Sequence, residues 1–116
     1  MPSGITTLIF PVKDLDKAKS VFGALTGSGP DIDTPYYVQF DIGDQRIGLD
    51  PNGHDRGFHG SVGYWEVENV HATFDQLIAA GATEHESPKD VGNGSLIASV
   101  FDADGNVIGI IEASQE

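Results

Sequence analysis

The sequence predicts an α+β fold made of two similar halves, on three observations. Short runs with period-2 apolar alternation, the mark of half-buried strands, recur through the chain. Two longer runs carry apolar residues at helical spacing. The order strand, helix, strand, strand appears twice, the second time offset by about 55 positions at its start.

Thr6 to Val12 reads as the first strand, with Leu8, Phe10 and Val12 on one face and Thr7 and Ile9 on the other. Asp14 is a plausible N-cap for a helix whose apolar stripe is Leu15, Ala18, Val21, Phe22 and Leu25. The run Thr26–Gly27–Ser28–Gly29–Pro30 stops it. Strands follow over Tyr36–Ile42 and Gln45–Leu49, joined by a Gly43–Asp44 turn, and Pro51–Gly60 reads as a linking loop. Then Val62–Val67 is a strand, Asn69 a cap, and Val70, Thr73, Phe74, Leu77 and Ile78 an apolar helical stripe ended by Gly81. Gly92-Asn93-Gly94 reads as a turn, Ser95–Phe101 as a strand, Asp104–Gly105 as a turn and Asn106–Glu112 as the last strand.

Sliding the first half onto the second places Phe10 on Trp65, Val12 on Val67, Leu15 on Val70 and Phe22 on Leu77. After an insertion, Gly43–Asp44–Gln45 meets Asp104–Gly105–Asn106, and Ile47–Gly48–Leu49 meets Ile108–Gly109–Ile110. Matching turns and helix stops carry more weight than matching apolar residues. The chain therefore reads as one domain over residues 1–116, with module 1 at about 4–52, a linker at about 53–60 and module 2 at about 61–114.

The length of 116 residues suffices for a modest core without staples. No stretch approaches the ~20 apolar residues of a membrane helix, and residues 1–7 show no secretory signal. Without cysteine there are no disulfides, thiolate metal sites or cysteine nucleophiles, and a cytoplasmic location is the default expectation. A net charge of −12 repels a phosphate backbone and favours a cationic ligand, unless acidity serves only solubility. Neither nucleic acid nor membrane is an expected partner.

One helix per half covers only one face of its strands, so the opposite face lines a concavity. Alternation nominates Thr7 and Ile9; Tyr37, Gln39 and Asp41; Arg46, Gly48 and Asp50; Val62, Tyr64 and Glu66; and Val107, Gly109 and Ile111. Tyr37 and Tyr64 are the candidate stacking residues, while Tyr36 shares the core-facing parity of Val38 and Phe40. Trp65 matches the parity of Val67 and is expected in the core. Glu66 is the candidate acid or base, though the same position serves to pair with Arg46, to meet a ligand cation or simply to be solvated. No catalytic set is otherwise identified. His54 and His59 lie in a Gly-rich loop near Asp50 and Asp55 without a recognised metal spacing, and His71 and His85 read as surface residues.

The paired pattern, the stretch Phe10-Pro-Val-Lys-Asp-Leu-Asp-Lys-Ala-Lys and the later Phe101-Asp-Ala-Asp-Gly-Asn-Val-Ile-Gly resemble the vicinal oxygen chelate superfamily. That superfamily holds glyoxalase I, bleomycin-resistance proteins and extradiol dioxygenases. The resemblance covers essentially the whole chain. It implies two tandem βαβββ modules whose mixed sheets form concave clefts with helices outside, usually in a homodimer. It also implies metal ligands on the first and last strand of each module, which fall on Thr7, Val62, Gly48 and Gly109. Thr is a poor ligand, and Val and Gly offer no side-chain donor. The expectation is thus no metal and no cofactor, with a small aromatic or cationic molecule bound by Thr7, Tyr37, Gln39, Arg46, Asp50, Val62, Tyr64 and Glu66. The alternative is a lactoylglutathione-lyase-like or dioxygenase-like enzyme whose metal ligands are not recognised.

Overall fold

The computed structural model describes residues 4–92 and 94–112. Asn93 of the expected Gly92–Gly94 turn and the end of the second expected module lie outside the described residues. The elements are β1 (Ile5–Pro11), α1 (Leu15–Thr26), β2 (Ile32–Asp33), β3 (Val38–Ile42) and β4 (Gln45–Asp50), then β5 (Val62–Glu66), α2 (Val70–Ala79), β6 (Thr83–Gly92), β7 (Ser95–Phe101) and β8 (Val107–Glu112). The order β, α, β, β, β thus occurs twice. Two compact units divide the chain, one of Thr7–Val62 and one from Gly63 onward together with the start of β1 through Thr6.

In the Thr7–Val62 unit the strands run in the order β2-β3-β4-β1. β3 runs antiparallel to both of its neighbours, β2 and β4, and β1 joins β4 in parallel, Ile9 opposite Gly48 and Phe10 opposite Leu49. α1 packs on β3 and β4. Its start is fixed by Asp14, whose Oδ1 accepts from the Lys17 N–H at 3.0 Å, and its end by Gly27 at φ 77°, where a side chain would be strained. Phe10, Val12, Leu15, Ala18, Phe22 and Ile47 pack around the buried Val38, Phe40 and Leu49. The Phe22 ring lies 5.1 Å from that of Phe10. Val21 and Leu25, expected on the apolar stripe, are instead exposed, which narrows the buried face of α1 to Leu15, Ala18 and Phe22.

Two expectations are corrected in this unit. β2 has no alternation long enough to read, since it is two residues. The expected strand start at Tyr36 is a turn: the Thr34 N–H donates to the Tyr37 carbonyl, and the Thr34 hydroxyl accepts from the Tyr36 and Tyr37 N–H groups. Tyr36 sits at the tip of that turn, 76% exposed rather than in the core.

The other unit orders its strands β5-β8-β7-β6. β5 and β8 are parallel, Tyr64 opposite Gly109 and Trp65 opposite Ile110, while β6, β7 and β8 are antiparallel. The register repeats that of the first unit, because Ile9–Gly48 and Phe10–Leu49 are the pairs that the sequence superposition lays on Tyr64–Gly109 and Trp65–Ile110. Asn69 caps α2 by accepting from the Ala72 N–H at 3.0 Å, and Glu112 Oε1 accepts from the Val70 N–H at 2.8 Å. Val67, Val70, Phe74, Ala98, Val100 and Ile110 form the buried cluster under α2.

Three readings change here. The segment Thr83–Gly92, for which the sequence predicts no element, is an edge strand with register shifts along its pairing to β7. Trp65 has the expected parity, but α2 packs on β6, β7 and β8, and Trp65 on β5 remains 40% exposed. His85, read as a surface residue, is half-buried: its Nδ1 lies 2.7 Å from the buried Ser99 hydroxyl, and its ring meets Phe101 edge-on at 4.7 Å. Among the described residues no helix is long and apolar enough to cross a membrane.

Candidate functional site

Each unit turns one sheet face toward its helix. The opposite face is where the superfamily resemblance places function, and the two units are taken in turn.

On β1, β3 and β4 that face carries three cross-strand rows. Register sets Thr7 beside Arg46 and Arg46 beside Asp41; Ile9 beside Gly48 and Gly48 beside Gln39; and Pro11 beside Asp50. The side chains of Tyr37, Gln39 and Asp41, two residues apart and so on one face, form a hydrogen-bonded line. The Tyr37 hydroxyl donates to Gln39 Oε1 at 2.8 Å, and Gln39 Nε2 donates to Asp41 Oδ1 at 2.7 Å. Gln39 is buried; Asp41 and Arg46 are exposed.

Asp50 is held by the loop that follows it. Its Oδ1 accepts from the Asn52 N–H at 2.8 Å, and its Oδ2 pairs with Arg56 at 2.7 Å. The Arg56 guanidinium also sits 4.6 Å from the centre of the Phe58 ring, which is fully buried. The stretch Pro51–Gly60 is accordingly a folded-back clasp, with Asp50 as its anchor. His54 and His59 are exposed on it.

Gly48 explains where the Tyr37 ring goes. A Cβ at Gly48 would collide with the Tyr37 hydroxyl and ring, 2.8 Å from Cε1, and with Ile9 Cδ1 at 2.6 Å. The glycine is the floor on which the tyrosine lies. Thr7, on β1, is 5% exposed, and its hydroxyl has no hydrogen-bond partner. Val62 is also buried, at 4% exposure.

The second unit repeats the device. A Cβ at Gly109 would stand 2.6 Å from Tyr64 Cδ2 and 2.8 Å from its Cγ and Cε2. Tyr64 is 3% exposed, its ring buried against β8. Glu66 lies opposite Ile111 on the same face and is half-buried. The Ser99–His85 pair is the polar feature of this unit that sequence reading missed. Its signal was the parity of Ser99 with Ile97 and Phe101 on β7, but the partner strand β6 lacked any alternation.

Whether these residues fit a divalent ion can be judged from donor chemistry and space. Thr7 and Val62 on the first strands give one hydroxyl and no other donor. Gly48 and Gly109 on the last strands give none, and tyrosine rings fill the volume that a longer side chain there would need. Among the described residues no group of three or more His, Asp or Glu side chains is placed to hold a metal ion. The residues present do not fit the group that the superfamily's metal enzymes carry.

No curated protein matches the sequence. Solved structures match the fold at low identity. An NAD-dependent benzaldehyde dehydrogenase from Legionella pneumophila aligns at a TM-score of 0.74 and 18% identity, over 93% of this chain and 98% of that one. Methylmalonyl-CoA epimerase from Mycobacterium tuberculosis gives 0.71 and 17%, over 98% and 90%. A glyoxalase/bleomycin resistance protein/dioxygenase superfamily member from Vibrio splendidus 12B01 gives 0.68 and 13%, over 97% and 98%. At these identities the likeness is one of fold. The family model for this superfamily matches residues 4–110. With two βαβββ runs in one register and a family match over nearly its whole length, the chain belongs to the Glyoxalase/Bleomycin resistance protein/Dioxygenase superfamily.

Proposed function

We propose that this chain binds a small aromatic or cationic molecule without a resident metal ion, holding it rather than transforming it. The observation that carries this reading is the tyrosine ring lying on glycine at both last-strand positions. A ligand cannot be gripped there by coordination. It has to be held by contact, hydrogen bonding and charge, for which the face of the Thr7–Val62 unit supplies Thr7, Tyr37, Gln39 and Arg46, and the face of the other unit supplies Glu66. Asp50 and Val62 in the Thr7–Val62 unit, and Tyr64 in the other unit, support the reading by packing within their own units.

Elemental analysis of untagged protein, purified without added metal, tests it. Substoichiometric manganese, iron, nickel and zinc after dialysis is the expected result, and one tightly held ion per chain overturns the reading. Thermal shift against planar aromatics and organic cations is the complementary measurement, since a compound that prefers the folded state raises the melting point. A homodimer is part of the proposal; light scattering should give twice the 12.3 kDa chain mass.

A further inference from the structure

The face of the Thr7–Val62 unit opposite α1 carries three charged side chains on β3 and β4: Asp41, Arg46 and Asp50. Both carboxylates already have partners. Asp41 accepts from Gln39, and Asp50 accepts from Asn52 and pairs with Arg56. Arg46 lies directly opposite Asp41 in the ladder, yet among the described residues it makes no ion pair, because Asp41 is turned along its own strand toward Gln39. Thr7, beside Arg46 on the other flank, is 5% exposed with a hydroxyl that donates to nothing. The Thr6 hydroxyl also lacks a partner, but alternation puts it on the opposite side of β1. A buried hydroxyl without an acceptor is unfavourable, and its staggered χ1 positions let it turn to an acceptor that arrives.

An unpaired guanidinium beside an unsatisfied hydroxyl calls for an anion with two acceptor oxygens. Two residues along β4 from Arg46 is Gly48, with the Tyr37 ring lying over it. Same-face positions on a strand are roughly 7 Å apart, a step that a planar aromatic acid spans. We infer that Arg46 and Thr7 receive the carboxylate of a small aromatic acid whose ring rests against Tyr37. The inference rests on the small-molecule reading above and narrows it from aromatic or cationic ligands to aromatic acids.

The test compares benzoate, benzylamine and benzamide by calorimetry and thermal shift on the full chain, once with EDTA and once with Mn(II) in its place, at fixed ionic strength. Benzoate is expected to bind best. Arg46→Gln, at an exposed position, should fold normally and lose roughly tenfold or more in benzoate affinity, as expected when a charged hydrogen-bonding partner is removed. Thr7→Val should raise the melting point of the free protein, because it removes an unsatisfied group, and shrink the increment that benzoate adds. Equal or tighter binding of benzylamine, or an unchanged benzoate affinity in Arg46→Gln, overturns the inference while leaving metal-free binding standing. Arg46-dependent benzoate binding that appears only with Mn(II) supports the inference and overturns the metal-free reading. No response to any of the three probes overturns both.

Discussion

Replacing Gly109 with alanine adds a single methyl group to a buried strand, and the structure says how much that should cost. The new carbon would stand 2.6 Å from Tyr64 Cδ2 and 2.8 Å from two further ring atoms, whereas carbon atoms in contact settle at about 3.5–4.0 Å. The ring must retreat by roughly 1 Å. It has little room, because Tyr64 is only 3% exposed. Overpacking of this kind costs about 1–3 kcal/mol. At roughly 4 °C per kcal/mol for a chain of this size, the melting point should fall by about 4–12 °C. Urea unfolding followed by tryptophan fluorescence measures the loss directly. Gly23→Ala is the control: in mid-helix, with its nearest contact an ordinary 3.6 Å from the Ser28 carbonyl, it should gain about 0.5–1 kcal/mol from helix propensity. In the double variant Tyr64→Leu/Gly109→Ala the two costs should fall short of their sum by at least about 0.5 kcal/mol, since the collision has gone. An unchanged midpoint for Gly109→Ala, or strict additivity in the double variant, would refute the ring-on-glycine packing.

Other outcomes follow from the same structure. Arg56→Met removes the partner of Asp50, and the expected loss is about 2–3 kcal/mol in urea unfolding, below the figure for a fully buried pair because the Arg56 side chain keeps 24% of its exposure. Protease nicking within Pro51–Gly60 should quicken in the same variant. Asp14→Ala and Asn69→Ala each remove an N-cap and should cost about 0.5–2 kcal/mol, measured by thermal melts. Asp102 accepts from the Asn106 side chain and backbone and from the Asp104 N–H, each at 2.9 Å. Those bonds, the Asn106 side chain first, hold its carboxyl below the ordinary 3.8. A depressed folded value contributes stability that is present above the unfolded value and is lost as pH falls through the folded one. An acid titration of the melting point should therefore steepen below about pH 4, and Asp102→Asn should flatten that part of the curve.

What could be read from the residues alone depended on whether local pattern and tertiary cover coincide. The Asp14 and Asn69 caps, the Asp104–Gly105 turn and the superposition of Ile47–Gly48–Leu49 on Ile108–Gly109–Ile110 are local or periodic, and the structure shows each. β6 escaped because an edge strand carrying His, Lys, Asp, two Glu and a Pro has no buried face to impose alternation. Parity assigned Trp65 to the helix side of its strand, but parity says nothing about how far a helix reaches. Tyr36 was lost to a turn built on the Thr34 hydroxyl. At the candidate site, Gly48 and Gly109 were legible as lining positions without a donor. That a ring from a neighbouring strand occupies each is a three-dimensional fact with no mark in the spacing.

The two rings occupy non-equivalent positions of the repeat. In the repeated register Tyr64 is the counterpart of Ile9, while Tyr37 enters from the head of β3. Ile9 itself packs on Gly48, 2.6 Å from where a Cβ would stand, and Tyr37 adds a second cover there, so what both halves share is a filled volume beside the glycine. A coordinating side chain placed at either position would need the tyrosine to move aside in the same step. A solitary exchange at the glycine would be penalised in stability before it could gain chemistry, so single substitutions there do not open a metal site.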